Sequence, residues 1–131
     1  RHAPASGAAA LVVSNHGARQ PDGAASTIDS LPAIVEAVAG QMEVWLDGGV
    51  RTGQDVVKAL ALGASATMIG RPFLYGLGAA GQAGVRKCLE LMASELDLTM
   101  APCGRTRVQA INREVLLPGT YPTLQRWLEQ A

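Results

Sequence analysis

Three times along the 131 residues a short apolar run gives way to a glycine-bearing turn and then to a helix-like stretch, and no other feature narrows the possible folds as far. Residues 8–14, Ala-Ala-Ala-Leu-Val-Val-Ser, form the continuous apolar run expected of a strand buried on both faces of a parallel sheet. A loop rich in Gly, Pro, Asp and Ser fills positions 15–30. Ser30 is then expected to cap a helix carrying Leu31, Ile34, Val35 and Val38, with Gly40 ending it. The pattern returns in the strand 43–47, Glu-Val-Trp-Leu-Asp, and the turn Gly48-Gly49. The helix that follows opens at Thr52, where Asp55 three residues on makes a capping box. Val56 and Leu60 share its face, and Gly63 stands at its left-handed end. The third unit has a strand at 66–70 and a long helix over 81–98, with Val85, Leu89, Met92 and Leu96 at helical spacing and Pro102 and Gly104 stopping it. A short helix over 108–115, the break at Pro118-Gly119 and a last helix over 123–131, with Leu124, Trp127 and Leu128 on one side, complete the reading.

Strands alternating with helices call for an α/β fold: a parallel sheet with right-handed crossovers, its chemistry at the C-terminal ends of the strands. A closed (β/α)8 barrel takes about 250 residues. The chain therefore supplies about three of eight units, and self-association over open sheet edges is expected.

The balance of 11 basic against 11 acidic residues, with 4% aromatics, gives no footing for nucleic-acid binding. Cys88 and Cys103 have neither metal-ligand nor redox-motif spacing, so no metal is expected and both are read as buried, reduced thiols. The run at 8–13 is too short to span a bilayer and leads to no cleavage-type sequence. His2, near the start, is expected to be solvated. Absence of an initiator Met points to residues upstream, and the final Glu129-Gln130-Ala131 is not a peroxisomal signal, which favours a cytoplasmic setting.

The chemistry-bearing residues cluster at the ends of the three strands. After the first comes Ser14-Asn15-His16-Gly17-Ala18-Arg19-Gln20. An imidazole can accept a proton near neutral pH, and an arginine three residues on offers a two-pronged donor for a carboxylate. The plainer alternative is that His16 ends the strand and Arg19 makes a surface ion pair. Asp47-Gly48-Gly49-Val50-Arg51 joins two glycines, which allow close backbone approach, to a cation. Gly70-Arg71-Pro72 repeats the idea at the opening of a helix. Two such signals at consecutive strand ends suit a phosphate-bearing ligand.

These segments, together with Lys58-Ala59-Leu60-Ala61-Leu62-Gly63-Ala64 and Ile69-Gly70-Arg71-Pro72, resemble the FMN-dependent α-hydroxy acid oxidases and dehydrogenases from about residue 7 to residue 106. Glycolate oxidase, lactate oxidase and mandelate dehydrogenase belong to that family. The resemblance implies that residues 1–131 are the C-terminal part of a flavoenzyme barrel that oxidises small L-2-hydroxy acids to 2-keto acids with FMN. It implies that His16 is the base and contacts the substrate, that Arg19 binds the substrate carboxylate, and that Ser14 contacts the flavin. Asp47, Gly48, Gly49, Val50 and Arg51, with Gly70 and Arg71, are implied to hold the ribityl phosphate chain. Proline replaces the family's leucine at Pro21 and Pro102, and the family's flavin-side lysine, second arginine and two tyrosines come from earlier strands. The chain alone is thus expected to be inactive, and to form a homo-oligomer or associate with the N-terminal part. The alternatives are a non-catalytic, phosphate-binding partial barrel that self-associates, and another FMN barrel enzyme; Ser-Asn-His-Gly followed by Arg argues against the latter.

Overall fold

A computed structural model describes residues 4–20, 23–123 and 125. Its centre is a three-stranded parallel sheet in the order β1 (Ala10–Val13), β2 (Glu43–Leu46), β3 (Ala66–Thr67). The register sets Leu11 beside Val44 and Val13 beside Leu46, then Leu46 beside Thr67. These residues share one face, since side chains alternate along a strand.

Two helices cover that face. Leu31 and Val38 from α1 (Thr27–Val38), with Ala59 and Leu62 from the region of α2 (Gly53–Ala61), close over Val13, Val44 and Leu46 to form the main core. The opposite face, carrying Val12, Trp45 and Ala66, has no such layer among the described residues, and Val12 remains 46% exposed. Burial of the first strand on both faces is therefore not what the described chain achieves: an apolar run records that two layers are wanted, not that one chain provides them.

Local chemistry explains the boundaries. α1 begins a turn earlier than expected, because Ser26 and not Ser30 is its cap: the Ser26 hydroxyl accepts the Asp29 N–H at 3.2 Å and donates to the Asp29 carboxylate. Ser30, one turn in, donates back to the Ser26 carbonyl at 3.2 Å. At the other end Ala39 is itself left-handed, with Gly40 following at φ 75°. α2 opens with the capping box read at Thr52 and Asp55, and Gly63 lies at φ 104° just past its end.

The third helix, α3 (Arg71–Met100), is longer than the expected 81–98 and is broken. Ala80 and Gly81 leave helical geometry, Gly81 with φ 55° and ψ −136°, so the residue read as a helix start is a hinge between arms 71–79 and 82–100. The arms touch backbone to backbone: a Cβ on Gly84 would lie 1.9 Å from the Gly76 carbonyl oxygen. On the second arm Met92 and Leu96 pack against the core while Leu89 stays 52% exposed, although all three share a face by spacing. Residues 108–115 form two 3-10 turns, Val108–Ala110 and Arg113–Val115, in place of a helix. Asn112 between them caps the second with its own side chain, a local bond that competes with helix continuation. Both cysteines are free and half-exposed, not buried. The expectations for His2, for Pro21 and for the helix at 123–131, Leu124, Trp127 and Leu128 included, fall outside the described residues or almost wholly so.

Candidate active site

The C-terminal ends of β1 and β2 are tied together by a hydroxyl. Ser14 Oγ donates to Asp47 Oδ2 at 2.7 Å and accepts the backbone N–H of His16 at 3.1 Å. The chain then turns through His16, Gly17 and Ala18 at φ 55°, 69° and 56°, closed by the Ala18 N–H on the Asn15 carbonyl at 2.9 Å. Three successive residues in the left-handed region, two with side chains, are uncommon and carry strain, a feature that clusters at functional sites.

At the end of β2, Gly48 and Gly49 both have positive φ, 98° and 82°. Their loop is pinned from beneath: Thr27, only 5% exposed, donates its hydroxyl to the Gly48 carbonyl at 3.0 Å. Above Gly49 and Gly70 a Cβ would meet nothing within 4 Å, leaving room for a ligand against bare backbone. Val50 is core, 4% exposed, so its offering to the cleft is backbone.

The two helix starts flanking these loops differ. At α2 the donors are already used: Asp55 Oδ2 accepts the N–H groups of Arg51 and Thr52, each at 3.1 Å, and Glu95 Oε2 accepts that of Gly53 at 2.9 Å. The start of α3 at Gly70 has no side-chain cap. Its orphan N–H groups and the positive end of its dipole therefore remain for an anion.

Nine of the ten residues singled out in the sequence line one open cleft of about 230 Å³: His16, Arg19, Asp47, Gly48, Gly49, Val50, Arg51, Gly70 and Arg71. Ser14 is not in the lining; it stands behind it as the link between Asp47 and His16. Three arginines face one carboxylate there, so the cleft favours anions. Two arginines, glycines with open space above them and an uncapped helix start suit a phosphate group. Met68 and Leu74 add an apolar wall that the sequence does not announce: Met68 falls in the strand expected over 66–70, but β3 ends at Thr67 and Met68 lines the cleft. Thr27 and Glu95 were also missed.

The profile of the family described as FMN-dependent dehydrogenase matches residues 1–118. An L-lactate oxidase from Nostoc sp. is 54% identical over 110 residues, covering 84% of this chain and 30% of the relative. The 2-hydroxyacid oxidase 1 of Homo sapiens is 52% identical over 116 residues, 88% of this chain and 31% of that protein. A crystal structure of mandelate oxidase with benzoyl-formic acid superposes with a TM-score of 0.83 at 53% identity, over 86% of this chain and 34% of the other. The chain thus spans about a third of the length of these relatives.

Proposed function

The chain belongs to the FMN-dependent dehydrogenase family, and from that we propose that residues 1–131 are the C-terminal part, about three βα units, of a (β/α)8 flavoenzyme that oxidises small L-2-hydroxy acids to 2-keto acids. One observation carries the reading: the candidate base, the candidate carboxylate clamp and both glycine-arginine loops open onto the same cleft. The uncovered sheet face with Val12 and Trp45 is the surface that a closed barrel would turn inward.

In this reading Arg51 and Arg71, with the backbone of Gly48, Gly49 and Gly70, would hold the FMN phosphate, and the Asp47 carboxylate would accept hydrogen bonds from ribityl hydroxyls. Ser14, behind the cleft wall, keeps Asp47 and the His16 turn in fixed relation, which makes its role toward the flavin an indirect one. Bound FMN supplies the acceptor for two electrons. Arg19 grips the substrate carboxylate with its planar fork, and His16 takes up the substrate proton. The remaining part of the barrel completes the site, and the assembled enzyme is a homo-oligomer. The same uncovered face, with Val12 and Met68 exposed, favours a second reading in which the chain binds phosphate without turnover and covers its sheet by self-association.

The test is an anaerobic flavin spectrum of the chain with FMN, alone and together with the N-terminal portion, before and after addition of glycolate, L-lactate or (S)-mandelate. Perturbation of the spectrum by the chain and bleaching by a hydroxy acid in the assembled enzyme are expected. His16→Ala should retain flavin while its reduction slows by about 10²–10⁴-fold, the range for loss of a general base. An unperturbed flavin would remove the cofactor site, and unchanged reduction in the variant would remove His16 as base. Binding without bleaching would leave the second reading.

A further inference from the structure

The structure assigns Arg71 a second task in the cleft: it is a positioning residue that braces the turn presenting His16, and so couples anion binding to the geometry of that turn. The inference rests on the reading of His16 as base and of the glycine-arginine loops as a phosphate cradle, and extends it.

The turn does not hold itself. His16, Gly17 and Ala18 sit at φ 55°, 69° and 56°, conformations that L side chains seldom adopt. Two hydrogen bonds that support it are local: Ser14 Oγ with the His16 N–H at 3.1 Å and the Ala18 N–H with the Asn15 carbonyl at 2.9 Å. The third comes from 54 residues along the chain, where Arg71 Nη2 donates to the Gly17 carbonyl at 2.9 Å. It meets the middle of the strained run and carries a full charge, and bonds with a charged partner are the stronger kind. The packing is close: a Cβ at Gly17 would lie 3.2 Å from that same nitrogen.

Arg71 also lines the cleft, at the uncapped start of α3. A guanidinium has five N–H donors in a rigid plane. One is used on Gly17, and the rest serve an anion. A phosphate held by the others fixes the plane, and the fixed plane fixes the Gly17 carbonyl and with it the neighbouring His16. By linkage the effect is reciprocal, so an ordered turn also favours the anion. Arg51 provides the contrast: it lines the same cleft, but its backbone is tied to Asp55 on its own helix.

Amide hydrogen exchange by NMR on the full 131-residue chain tests this, with inorganic phosphate as the probe. In phosphate-free protein Arg71→Lys should speed exchange of the Ala18 amide about tenfold, the scale set by loss of one charged hydrogen bond. Asp47 and Met68, whose amides bond Val13 and Leu46 across the sheet, should be unchanged. Arg51→Lys should leave Ala18 as in the parent. In the parent, phosphate should slow Ala18 exchange. An unchanged Ala18 rate in Arg71→Lys, or no phosphate effect in the parent, would overturn the coupling. If Arg71→Lys opens Asp47 and Met68 as well, Arg71→Gln is read in its place, with the parent titration still decisive. FMN against riboflavin affinity separates the underlying reading. Both lysine variants should weaken FMN about tenfold and spare riboflavin, and failure of that arm with a selective Ala18 response would discard the cradle while keeping the brace.

Discussion

At residue scale Gly53 marks the tightest contact between two different helices: a Cβ there would stand 2.1 Å from the Leu96 nitrogen and 2.4 Å from the Glu95 carbonyl carbon. Backbone cannot yield as a side chain tip can, so Gly53→Ala should cost about 3 kcal/mol or more by urea unfolding, the upper end for overpacking. Thr27 and Glu95 show why some important residues escaped the sequence. Each acts across the fold, Thr27 on Gly48 from 21 positions away and Glu95 on Gly53 from 42, and neither lies in a motif. His16, Arg19 and the glycine-arginine loops were legible because their chemistry is written in adjacent letters at strand ends. Glu114 makes a different prediction. Its hydrogen bond from Arg105, at 2.7 Å, and a second from Asn112 hold its carboxyl below the usual glutamate range. A depressed folded pKa stabilises above the unfolded value of about 4.3 and ceases to do so as pH falls through the folded one. Acidification from about pH 5 towards about 3 should therefore loosen the turns at Val108–Ala110 and Arg113–Val115, seen as lower protection of the Ile111 and Leu116 amides relative to their intrinsic exchange at each pH. Glu114→Gln should flatten the response.

At the scale of elements, the sequence was most legible where caps are self-contained. Thr52 and Asp55 form their box within four residues, and α2 starts where they direct. α1 misled because two serines compete for one role, and Asp29 at the third position after Ser26 decides between them. α3 was harder. Helical spacing of Val85, Leu89, Met92 and Leu96 reports a face but not what covers it, and Gly81 reads equally as a start or a hinge. Its φ of 55° with ψ of −136° is a glycine conformation, so Gly81→Ala should destabilise by about 1–3 kcal/mol. Thermal unfolding would register it, and an unchanged midpoint would mean that the arms can meet at another angle.

At the scale of the whole molecule, the parallel order and the alignment of the three strand ends followed from the alternating pattern alone, whereas the bare sheet face did not, because apolar runs do not say which chain will cover them. β1 and β3 each have one neighbour among the described residues. Sedimentation velocity from micromolar concentrations upward should show association of the isolated chain that is suppressed by the N-terminal portion; a monodisperse monomer throughout would show that the open edges are tolerated. The crossing at Gly53 has a mechanical meaning at this scale. With two backbones in direct touch and the Glu95 carboxylate gripping the Gly53 N–H at 2.9 Å, no compressible layer separates the second arm of α3 from the start of α2. The second arm of α3 and the start of α2 are thus welded into one block, and Arg51, two residues before Gly53, enters the cleft from the edge of that block.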